Sequence, residues 1–145
     1  MIGLIQRVSE ASVSIDGKIV GEIGRGLMVL VAVHRDDAEN SIARMAERLL
    51  GYRVFPDAEG RMNRSVQDVA GGLLLVPQFT LTADTKKGTR ASFTKGAPPE
   101  KASAYFDRLV HACRTAHRPV ATGRFGADMQ VALINDGPVT FWLES

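Results

Sequence analysis

The amino-acid sequence predicts an α+β fold: a single domain over residues 1–145, with about eight mostly antiparallel strands forming a barrel-like sheet and two main helices. Three observations carry that expectation. Short apolar segments, several of them alternating, are separated by Asp-Gly, Gly-Gly and Pro signals. Two longer segments instead carry the apolar period of an amphipathic helix. These two are inserted between groups of strands and do not alternate with every strand, which argues against a doubly wound sheet. At 45% hydrophobic and 23% charged, the 145 residues suffice for one core and leave little length for a second domain.

Ile2 to Val8, Ala11 to Ile15 and Lys18 to Ile23 are short segments broken by Ser9-Glu10 and Asp16-Gly17, the pattern of a strand followed by a hairpin. The run from Gly26 to Val33 is apolar throughout, as expected of a strand buried on both faces. Asp36 with Glu39 resembles a capping box, and Ile42, Met45, Ala46, Leu49 and Leu50 then recur at helical spacing until Gly51 stops them. Tyr52 to Phe55 suggests a strand, Pro56 to Gly60 a turn, and Gly71-Gly72 introduces the apolar run Leu73 to Val76. From Thr82 to Gly96 periodicity disappears into a polar, basic loop, a length more often functional or mobile than idle. Pro98-Pro99-Glu100 opens a second helix striped with Ala102, Tyr105, Phe106, Leu109, Val110 and Cys113, and Pro119 lies beyond its end. Alternation at Met129 to Ile134 and a run from Val139 to Leu143 supply the last strands.

The chain's opening is apolar but meets Arg7 and Glu10 too soon for a signal-peptide core, and no apolar run approaches membrane-spanning length, so a soluble cytosolic protein with no membrane partner is expected. Cys113 is the only cysteine; no intrachain disulfide and no thiolate cluster can form, and its place on the helix stripe favours packing. His34, His111 and His117 have spacing that suits no metal, and none stands in a recognisable nucleophile–base pattern. There is no nucleophile elbow, phosphate loop or dinucleotide fingerprint. No metal and no cofactor are expected, so if the chain is an enzyme, its backbone or its substrate carries much of the chemistry.

Two stretches fit that requirement. Val76-Pro77-Gln78-Phe79-Thr80-Leu81 ends an apolar strand and opens the basic loop, where freed backbone N–H groups could hold an oxyanion; the alternative is an edge strand with Gln78 and Thr80 outward. Asn135-Asp136-Gly137-Pro138-Val139-Thr140 contains a Gly-Pro dipeptide able to fix two carbonyl oxygens in a pocket; the alternative is a plain hairpin loop. Lys86, Lys87, Arg90 and Lys95 are candidates for phosphate contacts, or else line a solvated loop on a chain of net charge +2.

Together with Ala83-Asp84-Thr85, Lys87-Gly88, Arg90-Ala91-Ser92-Phe93, the opening Ile5-Gln6-Arg7-Val8, Gly51 to Phe55 and Thr122 to Met129, these stretches resemble the D-aminoacyl-tRNA deacylase family along the whole chain. The resemblance implies a cytosolic homodimer that hydrolyses the ester between a D-amino acid and the terminal ribose of tRNA, with aminoacyl-tRNA and a second copy of itself as partners. It implies a cis Gly137–Pro138 bond entering the partner subunit's active site, its carbonyls rejecting L side chains, with Arg7 supporting the motif or else a surface strand charge. It places catalysis at Gln78, Phe79 and Thr80, with the substrate's own 2′-hydroxyl assisting, and steric exclusion of this kind leaves glycyl-tRNA as a substrate. Thr80 stands as a positioning residue or a nucleophile. Two positions depart from the family: Pro77 stands where serine is usual, which puts any role of that hydroxyl in doubt, and Ala91 stands where proline is common. A tRNA-end or small-molecule binding module without chemistry is the alternative function.

Overall fold

A computed structural model describes residues Met1–Ser145. Its organising strand is β1 (Ile2–Ile15), which is long enough to pair with three neighbours. Its first half runs antiparallel to β3 (Gly26–Ala32), and its second half antiparallel to β2 (Lys18–Ile23). Its other edge is covered along its length by β8 (Gln130–Glu144). Sequence reading divides this strand at Ser9-Glu10 and divides β8 near Gly137; in the structure each chain stays extended and the interruptions are slips in register between Gln6 and Glu10. A bulge absorbs the extra residues without ending the strand.

Beside β3 lie β6 (Gly72–Pro77) and β7 (Val120–Thr122), both parallel to it in succession. Parallel neighbours need crossovers, and the two helices supply them: α1 (Glu39–Gly51) between β3 and β6, and α2 (Pro99–Ala116) between β6 and β7. The remaining pairs are antiparallel, so the sheet is mixed, and it curls until β7 approaches β2 and nearly closes a barrel. At that seam a Cβ on Gly21 would lie 2.6 Å from the Thr122 carbonyl oxygen, so glycine is what lets the strands meet. A small separate hairpin pairs β4 (Phe55–Pro56) with β5 (Met62–Arg64).

The apolar runs of β3 and β6 are continuous because both faces are covered. Leu27, Val29, Val31, Leu73 and Leu75 point to the helices and join Met45, Leu49, Phe106 and Leu109 in the larger core. Met28, Leu74 and Val76 point the other way and fill the barrel with Val8 and Val13. Cys113 is part of the larger core, and burial pushes its thiol up to about 12. No helix is long and apolar enough to cross a membrane.

Three local expectations change. The first helix is capped at Ala38, whose N–H donates to Ser41 Oγ at 3.2 Å, and not by Asp36 with Glu39. The neighbouring Asp37 is occupied elsewhere, accepting from the Met1 ammonium at 2.6 Å and the His34 N–H at 2.7 Å. The strand expected from Tyr52 shrinks to Phe55–Pro56, since Tyr52 and Arg53 have no strand partner. Finally, β7 has no counterpart in the sequence reading, and it follows the cis Arg118–Pro119 bond directly.

Candidate active site

The carboxyl end of β6 is where the backbone leaves the ladder. Pro77 is the last paired residue, and the Gln78 N–H makes the final rung to the Val31 carbonyl at 2.7 Å. The chain then tightens into one turn of 3-10 helix, Phe79–Thr82, rather than continuing as an edge strand. Within it Leu81 N–H donates to Gln78 O at 3.3 Å and Ala83 N–H to Thr80 O at 3.1 Å, while buried Thr82 donates its hydroxyl to Phe79 O at 2.8 Å. The N–H groups of Phe79 and Thr80 donate to nothing in the chain, as expected of the first residues of a helical turn. Two adjacent amide donors on a rigid turn form a suitable cradle for an oxygen that becomes negatively charged. The Gln78 side-chain amide donates to the Thr80 hydroxyl, which ties the two side chains together.

This turn borders a pocket of about 540 Å³. Val76, Pro77, Gln78 and Phe79 form one wall, Ala97, Pro99 and Ala102 another, and the segment Phe125 to Met129 with Val131 a third. The third wall is a part of the pocket that periodicity missed, because irregular chain between short strands leaves no pattern; only the family likeness touches it. Arg124 N–H donates to the Met129 thioether at 3.3 Å, which holds that wall in place. Mostly apolar walls with a few fixed polar groups suit a small ligand carrying an apolar side chain. No histidine borders the pocket, and no group of three or more His, Cys, Asp or Glu side chains is placed to hold a metal ion.

A second assembly forms where β8 bulges away from β1. Between the paired positions Val8–Asn135 and Gln6–Thr140, the chain from Asp136 to Val139 loops outward opposite Arg7. Its ends are laced by Asn135, whose side-chain oxygen accepts from Val139 N–H at 3.0 Å and whose amide donates to Thr140 Oγ1 at 2.8 Å. The Gly137–Pro138 bond is cis, and Gly137 has φ +140, a conformation that side chains resist. Arg7 grips the loop from beneath: Nε donates to Asp136 O at 3.0 Å and Nη1 to Val54 O at 2.7 Å, with the Asp136 carboxylate 3.5 Å away. Gly137 and Pro138 are exposed, and neither they nor Arg7 line the pocket beside Phe79. Within one chain the structure brings Gln78, Phe79 and Thr80 together, and Arg7 with the Gly-Pro loop, as two separate groups.

Lys86, Lys87, Arg90 and Lys95 all project from the loop beyond the 3-10 turn. That loop is pinned at an Asp84–Ser92 bridge, with N–H to O distances of 2.7 and 3.1 Å, and at Lys95, whose carbonyl accepts from Arg35 N–H at 2.9 Å. None of the four cations has an acidic partner in the chain. Two depressed carboxyls lie outside these groups. Asp57 is held below the usual carboxylate range chiefly by the Asn63 amide, and Asp68 chiefly by the Ser65 N–H.

Residues 4–144 match the family described as D-Tyr-tRNA(Tyr) deacylase. The chain is 65% identical to a D-aminoacyl-tRNA deacylase of Alkalilimnicola ehrlichii, covering 100% of this chain and 97% of the relative. It is 64% identical to one of Methylococcus capsulatus, over 99% of this chain and 94% of that one, and 57% identical to one of Escherichia coli, over 99% of both. Among solved structures it is similar to a c-Myc DNA unwinding element binding protein, with TM-score 0.95 at 38% identity over 100% of this chain and 99% of that one. It also shares its fold with a probable eukaryotic D-amino acid tRNA deacylase, TM-score 0.84 at 20% identity over 99% of this chain and 98% of that one.

Proposed function

The chain belongs to the D-Tyr-tRNA(Tyr) deacylase family of ester hydrolases, and from that premise we propose that it cleaves the ester of D-aminoacyl-tRNA and spares the L enantiomer. The observation that carries this reading is the pair of unpartnered N–H groups of Phe79 and Thr80 on a turn whose Phe79 lines a pocket without a histidine base. Water adds to the ester carbonyl, the carbonyl oxygen takes up negative charge against those two donors, and the ribose oxygen leaves with a proton. The products are a free D-amino acid and tRNA with its terminal hydroxyl restored. Preorganised donors facing developing charge need no nucleophilic side chain. The ribose ester places the substrate's own 2′-hydroxyl beside the reacting carbonyl, where it shuttles the proton.

Thr80 acts by position. Its hydroxyl accepts from Gln78, an amide that cannot remove a proton, so nothing activates it as a nucleophile. Pro77 occupies the strand end without a hydroxyl, so the reaction at this site proceeds without one there. No metal or cofactor enters the step.

Chirality is read by the Gly137 and Pro138 carbonyls, presented to the pocket of a second copy of the chain. Two features support that arrangement: Gly137 and Pro138 are exposed and line no part of their own chain's pocket, and β8 leaves one edge unpaired with Ile134, Phe141 and Trp142 exposed along it. A rigid carbonyl beside the α-carbon accepts from the ammonium of a D substrate and clashes with an L side chain, so discrimination comes from exclusion. Glycyl-tRNA has nothing to clash and is cleaved as well. Lys86, Lys87, Arg90 and Lys95 meet the phosphates of the acceptor arm.

A paired assay tests the reading. Purified protein without added metal releases D-tyrosine from D-Tyr-tRNA and leaves L-Tyr-tRNA largely intact. Similar rates on both enantiomers would overturn chiral exclusion, and no release from either would overturn the hydrolase.

A further inference from the structure

Phe79 and Phe93 are large aromatic residues left 59% and 44% exposed, and they lean on each other with ring centroids 5.2 Å apart at 53°. They border a second cleft of about 380 Å³ whose other walls include Arg35, Pro98 and Pro99. This cleft is continuous with the pocket beside β6, since Phe79, Ala97 and Pro99 belong to both. Arg35 is the cation that lines it, and its backbone is fixed from two sides. Arg35 N–H donates to the Lys95 carbonyl at 2.9 Å, and the Lys101 ammonium donates to the Arg35 carbonyl at 2.6 Å. The Arg35 guanidinium itself has no ion pair and no acceptor in the chain.

Exposed aromatic faces beside unpartnered cations match the chemistry of single-stranded RNA, in which bases stack on rings and phosphates meet arginine or lysine. Resting on the deacylase reading, we propose that this cleft seats the nucleotide that precedes the acylated one at the tRNA 3′ end, its base stacked on Phe93 and its phosphate against Arg35. Connectivity sets the assignment. The esterified nucleoside must sit at the first pocket for its carbonyl to reach the Phe79 and Thr80 N–H groups. The cleft sharing three residues with that pocket is then next along the strand. Phe79 thereby serves two neighbours, its N–H facing the ester and its ring bordering the adjacent base.

The test compares two esters that differ only in whether this nucleotide exists: D-Tyr-tRNA and D-tyrosyl-adenosine. Phe93→Ala raises KM for D-Tyr-tRNA about tenfold with kcat unchanged, the scale of one lost base–aromatic stack, and leaves kcat/KM for D-tyrosyl-adenosine unaltered. Phe93→Tyr restores the tRNA KM, which a loop that had merely collapsed would not do in parallel with an unchanged adenosine ester. Arg35→Ala raises the tRNA KM and flattens its salt dependence. Equal losses on both esters, or no loss on tRNA, would overturn the assignment. Calorimetry with the unacylated trinucleotide CCA against adenosine monophosphate runs independently of turnover: wild type binds CCA more tightly, and Phe93→Ala removes the difference. If wild type hydrolyses neither ester, the deacylase reading falls and the calorimetry still decides the subsite. A Phe93→Ala protein that changes oligomeric state while CCA binding is intact would instead make the aromatic pair a contact between copies, and the proposal fails.

Discussion

Replacing Arg7 by alanine tests whether the Gly-Pro loop is held from beneath. The side chain is 13% exposed and makes two directed bonds, Nη1 to Val54 O at 2.7 Å and Nε to Asp136 O at 3.0 Å. Hydrogen bonds from charged donors are each worth about 1.5–3 kcal/mol. The bond to Val54 deserves the upper half of that range, because Val54 is fully buried and its carbonyl would lose a charged donor without water to replace it. The Asp136 carboxylate is 54% exposed, so its ion pair with Arg7 is screened and adds at most about 1 kcal/mol. Arg7→Ala should therefore cost about 4 kcal/mol, which for a domain of this size lowers Tm by about 12 °C. Arg7→Lys should recover little, since one ammonium cannot reach two acceptors that the guanidinium bonds through separate nitrogens. Urea titration gives the stability, and the D/L deacylation ratio of the folded fraction reports the loop. If Arg7→Ala keeps both its midpoint and its enantiomer ratio, the bonds are incidental and the reasoning is wrong.

Gly137→Ala would place a Cβ 2.7 Å from Val139 Cγ2 and 3.0 Å from Val139 N in a backbone with φ +140. The strain is about 1–3 kcal/mol, so the variant stays folded in urea titrations but loses most deacylation of D-Tyr-tRNA; wild-type turnover would show that the loop carries no stereochemical role. Burial raises the Cys113 thiol from its ordinary 9.0 to about 12, so between those values the unfolded chain gives up this proton and the fold does not. Its contribution is complete below pH 9 and is lost as pH rises toward 12, with a slope of about 1.4 kcal/mol per pH unit for one proton. Cys113→Ala should lack that part of the alkaline slope in denaturation curves taken across the interval, and an identical slope would refute the assignment.

The parts of this fold that sequence reveals are those with local repetition. The helix stripes Ile42–Leu50 and Ala102–Cys113 are buried as their spacing predicts, and the unbroken apolar runs of β3 and β6 belong to strands covered on both faces. Tyr105 departs from its stripe by staying half-exposed, with Lys101 and Arg108 over its ring. Ser9-Glu10 looked like a break because both residues are polar and exposed, yet pairing to β8 carries the strand past them. β7 is three residues long, too short for any period, and it exists because β6 offers an edge to pair with. At the site, Gln78, Phe79 and Thr80 were legible as a strand end opening a loop, but their 3-10 turn was not. The Phe125–Met129 wall was not legible at all from pattern, because contact with Pro77 and Phe79 is a property of the tertiary fold.

Where the pocket lies follows from the mixture of strand directions. β6 and β7 run parallel, so the segments leaving them both emerge at the same edge of the sheet. One becomes the Phe79 turn and the other passes Gly123, whose N–H donates to Leu75 O at 2.9 Å, before forming the Phe125–Met129 wall. Between parallel strands the crevice at their carboxyl ends is a recurrent place for ligands, and helix α2, entering at Pro99, closes its third side. An all-antiparallel barrel would send alternate loops to opposite ends and could not set two adjacent exits side by side. The parallel trio β3–β6–β7 thus accounts for two things at once: a walled pocket, and two backbone donors released at its rim as the ladder ends at Gln78.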